Sequence, residues 1–197
     1  MAVRYYDEAL LAKISSLVKD PNMRVLGTRD TAALFNMYNV QNDASPITFP
    51  LITLSRNDSV DILSTTKRPL TFDGLLYDSD GKKSRSINAI PIGLKYDIDI
   101  YCRYSDEADE YARNFIFSLI NHPKLSINIP YNNLNLEHIS NISLLTPITF
   151  NSDVPQRLAN DQFSRVTIPI EIDDAYLFSV PMATNWVFEE PDEVQTN

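Results

Sequence analysis

The chain has 197 residues, of which 44% are hydrophobic and 10% aromatic, enough apolar surface for one packed core and therefore not a globally disordered chain. Its formal net charge of −9 argues against a nucleic-acid binder, whose affinity comes mainly from clustered Lys and Arg. No apolar run approaches the length of a membrane helix, the opening MAVRYYDEAL lacks the apolar centre of a signal peptide, and Cys102 is the lone cysteine, so a reducing cytoplasm is the expected place of assembly.

From Asp7 to Val18, the residues Leu10, Leu11, Ile14, Leu17 and Val18 recur at helical spacing. Pro21 stops the run by disfavouring helix at Asp20. After Gly27, TRDTAALFNMY predicts a second, short helix capped by Thr28 or Asp30. SPITFPLITLS reads as extended, and Pro46 and Pro50 suit an edge strand or one that starts late. Residues 56 to 90 read as irregular. There FDGLLYDSDGKKS carries two Asp/Gly turn signals, the mark of an excursion or a hairpin.

The clearest pattern follows. Leu94, Tyr96, Ile98, Ile100, Cys102 and Tyr104 alternate with Lys95, Asp97, Asp99, Tyr101 and Arg103, a strand with one apolar face. Ser105 is placed to cap a helix over 106 to 121, and Asp106 and Glu107 suit the positive end of its dipole. Ala108, Tyr111, Ala112, Phe115, Ile116, Leu119 and Ile120 form its apolar stripe. His122 and Pro123 end it, and KLSINIP starts a strand with Leu125, Ile127 and Ile129 on one face. The two strands are either parallel members of a βαβ unit or part of an antiparallel sheet with the helix packed across it. HISNISLL predicts a short strand, RVTIPIEI a strand with Val166, Ile168, Ile170 and Ile172 inward, and DDAYLFSVP a turn and a last short strand. The acidic tail WVFEEPDEVQTN closes the chain.

Few motifs carry chemistry. Gly27, Gly74, Gly81 and Gly93 are too far apart for a dinucleotide fingerprint or a P-loop. His122, His138 and Cys102 have no zinc-ligand spacing, and His122 suits a helix C-terminus. Cys102 on the apolar face reads as a buried structural thiol. DSDG at 78 to 81 lacks the glutamate that closes a calcium loop. Asp97 and Asp99 share a strand face roughly 7 Å apart, which would suit an acid/base pair or a hard metal. Lys95 and Arg103 on that face would neutralise them, and a solvated outer face explains the same alternation. The basic GKKSR at 81 to 85 reads as a solvated loop tip. Phe117 is the oddity: it lies opposite the apolar stripe, among Asp106, Glu110, Arg113 and Asn114, where only a partner or another part of the chain would cover it. Tyr176, Phe178, Trp186 and Phe188 are further interface candidates.

Three segments, FPLITLSR, YDIDIYCRYSDEADEYARNFIFSLINHP and RVTIPIEI, taken in order and spacing across residues 1 to about 181, resemble structural proteins of tailed bacteriophages, nearest the tail-terminator and neck (tail-completion) type. The resemblance implies a small α/β subunit without cofactor or catalysis. It also implies self-assembly into a ring, usually a hexamer, between the tail tube or sheath and the neck or head-connector proteins. The implied location is the virion, assembled in the bacterial host. A baseplate or other tail-associated subunit is the alternative within that class. From outside the class, a small metal-dependent hydrolase would use Asp97 and Asp99, and a monomeric binding module would use the GKKSR loop. The expected fold is α+β. It comprises one domain over 1 to 181, with a mixed sheet flanked by two or three helices and an irregular excursion at about 56 to 90, followed by an acidic tail over 182 to 197. No metal, membrane or specific nucleic-acid partner is expected.

Overall fold

A computed structural model describes residues 3–27, 30–31, 33, 48–63, 70–72, 87–131, 134–151 and 163–178. Within them the chain is an α+β domain, with two helices on one face of a mixed seven-stranded sheet and a small separate hairpin.

Helix α1 (Val3–Leu17) starts four residues before the predicted Asp7, because Val3 and Tyr6 continue its apolar stripe. Val3, Tyr6, Leu10 and Ile14, three or four residues apart, are buried in the main core, while Leu11 and Leu17 pack at its margin. The predicted second helix falls largely outside the described residues; positions 30, 31 and 33 are helical.

The sheet order is β1 (Arg24–Leu26), β2 (Leu51–Ile62), β4 (Ile87–Cys102), β9 (Ser164–Phe178) and β7 (Ser143–Leu144). β3 (Leu70–Phe72) adds to β4, and β8 (Thr149–Asn151) adds to β9. Only β1 and β2 run parallel; the other pairings are antiparallel. β2 starts at the residue after Pro50, as a strand that starts late should, but it is an inner strand. The expected irregular stretch at 56 to 90 is corrected at both ends. β2 runs on to Ile62 against Ile92, β4 already starts at Ile87, and β3 lies between them in sequence. The DSDG and GKKSR segments lie outside the described residues.

β4 behaves as its alternation predicts as far as Cys102. Leu94, Tyr96, Ile98, Ile100 and Cys102 are buried, and their partners across the ladder include Ile168, Ile170 and Ile172 on β9. Tyr104 breaks the pattern at 72% exposed, since the strand ends at Cys102 and Tyr104 becomes the N-cap of the next helix. Helix α2 (Ser105–Asn121) therefore takes in Ser105 as its first residue, and no side chain caps it. Asp106 and Glu107 do occupy the first turn, where the dipole favours them.

β5 (Lys124–Tyr131) overturns both expected arrangements of strand, helix and strand. It pairs with β6 (Leu134–Asn141) as a hairpin apart from the main sheet. Leu125, Ile127 and Ile129 face inward as expected, and the hairpin packs on α1 and β9. Hairpin and helices together thus form one layer over the sheet.

The expected turn at Asp173 and Asp174 is also corrected. β9 continues through both residues, and two residues of β9 oppose the single Gly93 where the register shifts between Ile92↔Ala175 and Leu94↔Ile172. This is a β-bulge. It changes the parity of the strand, so that Ile172 and Ala175, three residues apart, are both buried in the core. A Cβ at Gly93 would lie 3.2 Å from Glu171 Oε1, the tip of a flexible side chain beside the bulge.

Candidate interaction surface

Helix α2 buries Ala108, Ala112, Phe115 and Leu119 against the sheet. The predicted stripe is too wide at its end, because Ile120 is 57% exposed. Phe117 is 61% exposed, so no described part of the chain covers it. Residues three apart on a helix are neighbours, so Phe117 and Ile120 make a joint apolar patch on the outer side of α2. Sequence reasoning found Phe117 and missed Ile120, whose spacing from Leu119 and Ile116 mimics a core position.

Beside Phe117 lies a groove of about 580 Å³ between α2 and the end of α1. Leu17, Met23, Ile52, Phe115 and Phe117 give it apolar walls, and Lys19, Asn114 and Asn121 are among its polar lining residues. One side is pinned by Tyr111, whose hydroxyl donates to Asp20 Oδ2. That bond holds the Asp20 carboxyl below its usual range and the Tyr111 hydroxyl above its own. The turn after α1 is held further by Asn22 N, which donates to Asp20 Oδ1 at 2.8 Å. These two bonds brace the turn after α1 against α2 along one side of the groove.

A second exposed apolar set is Val60, Ile62 and Leu63, at 42%, 68% and 49%, at the far end of β2. Among the other interface candidates, Tyr176 is half-buried with its ring edge-on to His138 at 5.1 Å between centroids. Phe178 ends β9 opposite Ala89, and its side chain lies outside the described set, as do Trp186 and Phe188.

Asp97 and Asp99 do not form an open carboxylate pair. Asp99 is 5% exposed, which corrects the expectation of a solvated outer face. Arg165 on β9 donates to it twice, Nε to Oδ1 at 2.9 Å and Nη2 to Oδ2 at 2.8 Å, and Thr167 Oγ1 donates at 2.6 Å. A fork-on-carboxylate contact of this kind ties two strands together. Tyr101, Leu51 and Phe163 cover the same end of that face as a small second core, with Phe49 stacked on Phe163. Lys95, expected to neutralise the pair, turns instead to Asp61 at 2.6 Å. Arg103 lies beyond the end of the strand and is exposed. Burial and then the Asp99 charge raise the Asp97 carboxyl above its ordinary value.

His138 Nε2 lies 2.8 Å from Ser140 Oγ and 3.0 Å from the Asp174 backbone oxygen. The Asp174 carboxylate instead accepts from Asn141 N at 3.1 Å. Ser140 is fully buried, so this cluster fastens the hairpin to the β9 bulge and offers no accessible nucleophile. Tyr6 OH joins it by accepting from Tyr176 N at 2.9 Å. Cys102 is buried, and burial pushes its thiol up to about 12, as a structural cysteine requires. Among the described residues no group of three His, Cys, Asp or Glu converges as a metal site would, and no helix is long and apolar enough to cross a membrane. No protein-family model and no curated protein matches the chain.

Proposed function

We propose that the chain is a structural subunit that works by fitting against other copies and other proteins, as a ring-forming tail-terminator or neck component of a tailed phage. The observation that carries this reading is the exposed Phe117–Ile120 patch beside an apolar-walled groove. A large aromatic ring on a fixed helix, next to a concave apolar surface, is the composition of an interface anchor. Further support comes from the buried polar groups. Asp99, Arg165, Thr167, His138 and Ser140 are engaged in holding strands and hairpin together. The resemblance of the strand–helix–strand segments to terminator and neck proteins supplies the assembly class.

In this reading the subunit makes and breaks no covalent bond and needs no cofactor. Its neighbours are copies of itself and the tail and connector proteins on either side. The experiment is the native mass of the purified chain across concentration, with imaging of the assembled species and of tails. A closed ring is expected, and Phe117→Ser should weaken its assembly about tenfold or more, as loss of a buried aromatic anchor does. Unchanged self-association and tail incorporation in that variant would remove Phe117 as an anchor. Turnover of a phosphoester or peptide substrate that disappears in Asp97→Asn with Asp99→Asn would overturn the structural reading altogether.

A further inference from the structure

Two exposed apolar sets lie at opposite ends of the sheet. Phe117 and Ile120 belong to the end marked by Ile52, which lines the groove together with Phe117 and pairs with Ile100. Val60 and Ile62 pair with Leu94 and Ile92, six and eight positions before Ile100 on β4. At the rise of an extended strand those levels are roughly 20 and 27 Å from Ile100. Neither set reaches the other within one chain.

The far end of β2 is an open margin of the sheet. Leu94 and Ile92 belong to the core under the helix layer, so Val60 and Ile62 point to the same side, yet they are 42% and 68% exposed. Among the described residues no strand lies beyond them, because β1 reaches only Leu51 to Thr53. An apolar strand margin of this kind is a template for another chain.

Resting on the ring reading, we infer that the Phe117–Ile120 patch of one copy packs on Val60 and Ile62 of the next copy. Val60 and Ile62, two residues apart on one strand face, stand roughly 7 Å from each other, a span that an aromatic ring laid across them covers. The charges beside the two patches are complementary. Within one turn of Phe117 on α2 the only charged residue is Arg113, which forms no ion pair among the described residues. In the groove, Lys19 is balanced by Asp20. Next to Ile62, Lys95 lies 2.6 Å from Asp61 and 4.0 Å from Glu171, so two carboxylates share one ammonium and the cluster is left with one negative charge. Because the two patches sit at opposite ends of the subunit, the contact is heterologous. Repeated contacts of that kind close into a ring when the rotation permits.

Two variants of the full chain separate the surfaces. Phe117→Asp and Ile62→Asp each place a charge in one patch, and both side chains are more than half exposed, so the fold should persist, as far-UV circular dichroism would verify. Each alone is expected to associate at least tenfold more weakly, read as native mass across concentration. Mixed, they should form a one-to-one pair, because one keeps its β2 margin and the other its aromatic patch. Combining Phe117→Cys with Ile62→Cys in one chain should give, on mild oxidation, a ladder of linked chains; Cys102 is buried and does not compete. Parent-like association of Ile62→Asp, absence of the mixed pair, or a linked dimer from Phe117→Cys alone overturns the inference, and imaging of the wild-type chain for a ring decides the ring reading separately. A wild-type chain that stays monomeric also overturns the inference, and imaging of tails then decides the ring reading.

Discussion

Asp99 shows how much one side chain contributes where a carboxylate would otherwise suggest chemistry. Replacing it with alanine leaves the Arg165 guanidinium half-buried without its two acceptors. Losing one partner of a buried pair costs about 3–5 kcal/mol, and because the Arg165 side chain keeps 27% exposure the expected cost of Asp99→Ala is roughly 2–3 kcal/mol. Urea unfolding measures it, and a cost within error of zero would mean that solvent replaces the pair freely. Asp97 behaves oppositely. Burial and then the Asp99 charge raise its carboxyl above the ordinary value of 3.8, with Arg165 opposing the shift. The folded chain thus binds this proton more tightly than the unfolded chain. The penalty of ionised Asp97 is fully present at neutral pH and is relieved as pH falls through the raised value. Asp97→Asn should therefore raise the thermal midpoint at pH 7, with a gain that shrinks on acidification and vanishes below 3.8. A variant that melts lower than the parent at pH 7 would show that the ionised form makes a contact worth more than its burial costs.

At the scale of elements, Asp7 is the clasp between α1 and the sheet. Arg56 Nη1 donates to its Oδ2 at 2.6 Å, and Tyr96 OH donates to its Oδ1 at 2.9 Å. The ion pair is more than a third exposed on both sides and is worth under 1 kcal/mol. The Tyr96 hydroxyl belongs to a residue only 1% exposed, so removing its acceptor costs about 1–2 kcal/mol. Asp7→Ala should accordingly destabilise about 1 kcal/mol more than Asp7→Asn, which keeps an acceptor for the hydroxyl. Equal costs, read by denaturant midpoint, would place the clasp in the ion pair instead. The elements legible in the sequence are those with one dry face. β4, α2, β5 and the first half of β9 each bury alternate or helically spaced side chains in a single core. The far part of β2 was not legible, because Asn57, Val60, Asp61 and Ile62 are all exposed and leave no wet-dry alternation to read. The bulge was hidden for a related reason. Two adjacent acids imitate a turn, and only the parity of Ile172 and Ala175 betrays a strand that continues. At the candidate surface, Phe117 was legible because it violates its helix pattern, whereas Ile120 obeys the pattern and is exposed all the same. Helical periodicity marks a direction around the axis; how far the sheet extends beneath the last turn is a tertiary fact.

At the scale of the whole molecule the charge of −9 opposes the association proposed for it. A compact chain of this length is about 40 Å across. Two such bodies in contact, each with a charge of −9, repel by a Coulomb energy of roughly 8 kcal/mol without salt. Screening at about 10 mM ionic strength, where the Debye length is about 30 Å, leaves on the order of 2 kcal/mol, and at about 150 mM almost nothing remains. Local attractions between exposed acids and Lys19 or Arg113 weaken over the same interval, but each such pair is worth only a few tenths of a kcal/mol. The burial of Phe117 and the groove walls is insensitive to salt in this range. The sum has a definite sign: association should strengthen on the order of tenfold per contact between about 10 and 150 mM salt and then level off, since ~1.4 kcal/mol is tenfold. Sedimentation equilibrium across that series measures it. Association that weakens steadily with salt would place the binding energy in charge pairs at the interface, and the apolar groove would then lose its role as the principal contact.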